Sequence, residues 1–178
     1  KSPMPELSGK RWISRSTPLV AISGLEPPGT SAPVSESRTG TIAYLHCIGG
    51  VSGDMMLGAL VDVGLDVSVL RDVVERLGLR GCRISSKSAT RGGVGGTMVS
   101  VELDQAAREP RRHQDFVKII QRSRLSDWTK ERACSLVGVI AEAEAEVHGV
   151  DIKRVHFHEL GSLDTLVDVV GAIVGLDT

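Results

Sequence analysis

The sequence predicts an α/β protein in which a small mixed sheet is flanked by about five helices and preceded by a disordered amino-terminal extension. Three observations lead there. Short β-branched strings alternate with amphipathic helical stretches, glycine-rich turns join them, and proline is confined almost entirely to one end. Six of the seven prolines lie in the first 33 residues and only Pro110 lies beyond them, so a boundary falls near Gly40. Residues 1–40 lack periodic apolar positions and are expected to stay unfolded, leaving 41–178 as one domain.

Thr41 to Cys47 reads as a buried strand, and Ile48-Gly-Gly-Val-Ser-Gly-Asp54 as a glycine-rich turn into a helix carrying Met56, Leu57, Leu60 and Val61. A strand, such a turn and a helix start can aim backbone N–H groups at a phosphate, which would make Gly49, Gly50, Ser52 and Gly53 an anion cradle. The same residues also suit a tight connection with Ser52 as a cap. Asp66 caps a second helix, whose Leu70, Val73, Val74 and Leu77 form one stripe before Gly78 ends it. Residues 82–89 and 97–104 alternate as strands, with Arg91-Gly-Gly-Val-Gly-Gly-Thr97 as a long hairpin tip from which Arg91 could fold over an anion. A polar linker, Gln105 to Arg112, precedes two more helices. Phe116, Ile119 and Ile120 mark the first; the second runs from near Asp127 to Gly149, with Glu142, Glu144 and Glu146 on its solvated side.

The stretch from His156 to Asp168 looks built for chemistry. Val155 to His158 is expected to be extended, placing His156 and His158 on one face and Phe157 on the other. Ser162 is a plausible N-cap, and Leu163, Leu166, Val167, Val170, Ile173 and Val174 follow helical spacing. Asp164, Asp168, Gly171 and Gly175 share a second face, suited to close approach by a backbone or a ligand. Nothing basic follows Arg154, so the two aspartates have no local cation. Imidazole plus carboxylate suits borderline divalent metals, although hydrogen-bonded strand histidines and capping acids would give the same pattern. His46 and Asp54 repeat that pairing of strand end and helix start. If the two strands were parallel neighbours, both loops would meet at one sheet edge.

The formal net charge is -1, aromatics make up 3% and no basic run is sustained, which argues against nucleic-acid and membrane-surface roles. Cys47, Cys82 and Cys134 are too widely spaced for a zinc knuckle and odd in number for a disulfide framework, so reduced, cytoplasmic thiols are expected. No apolar run is long enough to cross a bilayer. The start at Lys1 and the stop within a helical pattern suggest a fragment.

Gly49-Gly-Val-Ser-Gly-Asp-Met-Met-Leu-Gly-Ala-Leu, Ala141-Glu-Ala-Glu-Ala-Glu-Val-His-Gly and Val155-His-Phe-His-Glu-Leu-Gly-Ser-Leu-Asp-Thr-Leu-Val-Asp-Val-Val-Gly together resemble the LarC-type nickel insertion proteins, and Arg91-Gly-Gly-Val-Gly-Gly-Thr fits the same family. The resemblance covers 41–178. It implies a nickel chelatase of the lyase class that inserts nickel into pyridinium-3,5-bisthiocarboxylic acid mononucleotide, using CTP with manganese or magnesium. It also implies a lactate racemase-type apoenzyme as recipient and a nucleotide-binding carboxyl-terminal domain that this chain lacks; a homo-oligomer is compatible with it. Two departures stand out. His46 replaces a common Asp, and the His-rich tract many relatives carry before His113 is absent.

Taken together, residues and resemblance make His156 and His158 the expected metal ligands, helped by Glu159 and His46, with Asp164 and Asp168 as further ligands or orienters of the imidazoles. Asp54 is expected to coordinate a divalent ion or position substrate, and Gly49, Gly50, Ser52, Gly53 and Arg91 to hold the mononucleotide. A metal-dependent phosphohydrolase and a non-catalytic metal-binding or docking domain are the alternatives.

Overall fold

The structure is a computed structural model that describes residues 19–21, 43–47, 49–152, 155, 157 and 160–178. In chain order its elements are β1 (Leu19–Ala21), β2 (Ala43–Leu45), α1 (Gly53–Asp62), α2 (Val67–Leu77), β3 (Cys82–Arg91), β4 (Val94–Leu103), α3 (His113–Arg122), α4 (Asp127–His148) and α5 (Leu163–Asp177). The α/β class and the five helices are as the sequence predicts.

The strands form two separate antiparallel pairs, β1 with β2 and β3 with β4, rather than one mixed sheet. Among the described residues no parallel pairing joins the two candidate loops. β2 pairs with Leu19–Ala21, from the stretch expected to be unfolded, and Val155 and Phe157 belong to no strand. Both are instead buried, with Phe157 packed 5.5 Å from the Phe116 ring and edge-on to His113. Burial of large apolar groups outweighs the strand propensity of so short a segment.

The β3–β4 hairpin is longer than the alternation suggested. Its ladder continues to Arg91 paired with Val94, and the turn is only Gly92-Gly93, both at positive φ. Two residues in that conformation match the right-handed twist of the flanking strands, which lets pairing run to the tip.

Helix ends follow local chemistry. Asp66 accepts the Ser68 N–H at 2.8 Å to cap α2, Ser126 accepts that of Thr129 at 3.1 Å to cap α4, and Gly78 and Gly149 end these helices in the left-handed conformation.

Two apolar clusters result. One gathers α2, α3, α4 and α5 around Phe116, Ile120, Val137, Phe157, Leu166 and Val170. The other joins β3 and β4 to α1, α2 and α5 around Leu57, Leu70, Ile84, Val99 and Val167. Helix α5 contributes to both, so its buried residues extend well around its circumference.

Candidate cation-handling site

Helices α1 and α5 pack side by side in the same direction. Gly53 lies against Asp168, Gly171 against Leu57 and Gly175 against Leu60, in rising order along both helices. The helices approach closely here: a Cβ at Gly171 would come 2.9 Å from a Leu57 methyl and one at Gly175 2.9 Å from a Leu60 methyl, so either leucine would have to shift its side-chain end. A Cβ at Gly53 would run into the Asp168 carboxylate itself. The glycine-bearing face of α5 thus meets another helix, and the parallel packing places both helix starts at one end of the molecule.

The same local device stands at both starts. Ser52 and Ser162 occupy the N-cap positions in extended conformation, yet neither hydroxyl caps its helix. Each donates instead to the aspartate two residues on, Ser52 to Asp54 and Ser162 to Asp164. Those carboxylates also accept the next backbone N–H, Met55 at 2.9 Å and Thr165 at 2.8 Å. An acidic group in the first turn is favoured by the helix dipole, so the acids take the place a capping hydroxyl would have filled. The expected caps are in the right positions but serve the aspartates.

Asp168 lies one turn after Asp164 on α5 and packs against Gly53 at the start of α1. Burial pushes its carboxyl up to about 7, and the charges of Asp164 and then Asp54 push in the same direction. Its Oδ1 is buried without a hydrogen-bond partner among the described residues. Asp164 also reaches Cys82, a core thiol raised to about 11 mainly by burial. Three carboxylates therefore share one field, and none forms an ion pair among the described residues. They do not make a closed ligand set: among the described residues no three His, Cys, Asp or Glu side chains are grouped closely enough to hold an ion.

The other expected site residues divide three ways. Asp54, Gly50 and Arg91 line a cleft of about 340 Å³ between the end of β2, α1 and the β3–β4 hairpin. Gly50 turns there at φ +84° and donates its N–H to the Cys47 carbonyl at 3.2 Å. Gly49, Ser52 and Gly53 are not among the cleft's lining residues, and Gly53 faces Asp168. His46 is exposed beyond β2, its ring 6.1 Å from that of Tyr44, and does not line the cleft. His156, His158 and Glu159 lie outside the described residues. Sequence reasoning missed the apolar wall of the cleft, Ala89, Val94 and Met98; the period of two in β4 was the available signal.

Fold and site thus define an α/β protein that gathers acidic groups where two parallel helices begin. A family described as nickel insertion protein matches residues 43–178, and the chain belongs to that family. It is similar to a putative nickel insertion protein of Citrifermentans bemidjiense, at 42% identity over 136 residues, 76% of this chain and 35% of the relative. A putative nickel insertion protein of Geobacter sp. strain M21 is 43% identical over 136 residues with the same coverage, 76% and 35%. The pyridinium-3,5-bisthiocarboxylic acid mononucleotide nickel insertion protein of Desulfitobacterium hafniense strain DCB-2 is 40% identical over 134 residues, 75% of this chain and 33% of the relative. The chain spans about a third of the length of these relatives. No solved structure matches it.

Proposed function

We propose that this chain supplies part of an enzyme that inserts nickel into pyridinium-3,5-bisthiocarboxylic acid mononucleotide, the reaction for which the Desulfitobacterium relative is named. The observation that carries the reading is Asp168: a buried carboxylate oxygen without a partner among the described residues, beside two further acids and a glycine backbone. Such an arrangement is costly unless a cation arrives to use it.

Oxygen donors alone suit hard cations such as magnesium and manganese, so Asp168 would give a single ligand to the divalent ion that accompanies CTP, with Asp54 and Asp164 adding negative field rather than completing a ligand set. Nickel, the metal to be inserted, is better matched by imidazole, which makes His156 and His158 its ligands, with Glu159 and His46 assisting. CTP itself would bind in a further part of the longer protein, and a lactate racemase-type apoenzyme would receive the product. The reaction is that of a nickel chelatase, of the lyase class, acting in the cytoplasm; self-association is compatible with this role. Among the described residues no helix is long and apolar enough to cross a membrane. A cation held beside Asp168 would favour its ionised form, and Asp54 and Asp164 have their orientation fixed by Ser52 and Ser162.

Calorimetry with metal analysis on the 178-residue chain tests the reading. Saturable nickel uptake is expected, weakened at least tenfold in a His156→Ala, His158→Ala double variant. Manganese binding is expected to weaken similarly in Asp168→Asn. Equal, weak binding by wild type and variants would remove metal handling from this part of the protein.

A further inference from the structure

Sulfur is concentrated in the cleft between β2, α1 and the hairpin. Cys47, Met55, Met56 and Met98 all line it, so three of the chain's four methionines are there. The hairpin supplies a wall: Arg91 is opposite Val94 and Ala89 opposite Gly96, all four line the cleft, and the β4 lining continues without a break to Val99. Gly96 leaves open space where a side chain would stand. The mouth is apolar too, since Val51, Met55 and Val94 are 48%, 55% and 44% exposed. Uncovered apolar surface grouped around a concavity marks a binding site, and the volume of about 340 Å³ is at the small end of the range for small-molecule sites.

Two charges stand on this lining, Asp54 on the α1 side and Arg91 on the hairpin side, and no ion pair joins them. A neutral apolar guest would leave both without use. The guest that fits has a flat, polarisable body with a cationic ring centre for Asp54 and an anionic arm for Arg91. Thioethers make favourable contacts with aromatic rings, which matters in a chain whose aromatic content is only 3%.

We infer that this cleft is the seat of the pyridinium mononucleotide, its ring against the methionine sulfurs with Asp54 as counter-charge and its phosphate arm gripped by Arg91. For the identity of the guest this rests on the nickel-insertion reading; the site and its charge pattern do not. Asp54 lines the cleft and its neighbour Gly53 packs against Asp168, so a ring held here lies next to the acid cluster. The phosphate is thereby assigned to a guanidinium rather than to the glycine loop, where Asp54 occupies the helix start.

The test uses nicotinic acid mononucleotide as probe on the full chain, without metal, followed by calorimetry and by ultraviolet difference absorption of the pyridinium. Saturable binding is expected, with ribose 5-phosphate at least tenfold weaker. Gly96→Val and Ala89→Leu, which fill the cleft from opposite strands, should each cut probe affinity at least tenfold while nickel uptake and the unfolding midpoint stay as in wild type. Arg91→Ala, at an exposed position, should weaken the mononucleotide about tenfold and leave nicotinic acid riboside unaffected. Absence of probe binding, undiminished binding in the folded variants, or equal binding of ribose 5-phosphate would overturn the assignment. Probe binding without nickel uptake would sink the nickel reading alone and leave the cleft assignment standing.

Discussion

Asp168 carries a thermodynamic signature that can be read without any ligand. Its folded value of about 7 lies above the ordinary 3.8, so between those values the folded chain keeps a proton that the unfolded chain releases. The contribution to stability is complete below 3.8 and is lost as the pH rises through about 7. Asp168→Asn removes the ionisation, and thermal unfolding across pH should show the variant gaining on wild type over that window, by roughly 2 kcal/mol at pH 8 once partial solvent access is allowed for. Indistinguishable pH profiles would mean that the carboxylate ionises normally. The sequence made the anomaly visible in outline: acids one turn apart with nothing basic after Arg154. It could not show that Asp54, more than a hundred residues earlier, completes the group, because that depends on how two helices pack.

At the scale of elements, the α1–α5 contact is set by small residues. Gly53→Ala should cost about 1–3 kcal/mol in denaturant unfolding, because the added methyl group collides with Asp168. Combining it with Asp168→Gly, which also removes the Cβ that would lie 2.4 Å from the added methyl, should recover part of that loss; strictly additive effects would place the collision elsewhere. Helices α2 and α4 were legible almost residue by residue, since capping side chains and terminal glycines act locally. The hairpin was legible as alternation but not in length, because Gly92-Gly93 and Gly95-Gly96 look alike in sequence and only the first pair turns. The segment at Val155 went the other way: its strand-like composition serves burial of Val155 and Phe157 rather than pairing.

For the whole molecule, the α/β class and helix count follow from periodicity, whereas the sheet arrangement does not, because which strands pair is decided by contacts distant in the chain. The cleft was hidden for the same reason: β2, α1 and the hairpin tip become neighbours only after folding. Phe157 ties the segment before α5 to α3, and Phe157→Ala should cost about 3–5 kcal/mol in global stability. Far-ultraviolet circular dichroism during chemical unfolding would check it, a loss below 1 kcal/mol showing that this segment folds apart from the core.

Helix α5 contributes residues to both apolar clusters, with Leu166 and Val170 in one and Val167 in the other. An element wedged in this way has no direction in which to shift without opening one cluster. Amides along its middle turns should therefore exchange with solvent only when the domain opens as a whole, which native-state hydrogen exchange would check. Asp168 belongs to those turns, so its carboxylate is held in place by the packing of both clusters and does not depend on a loop for its position.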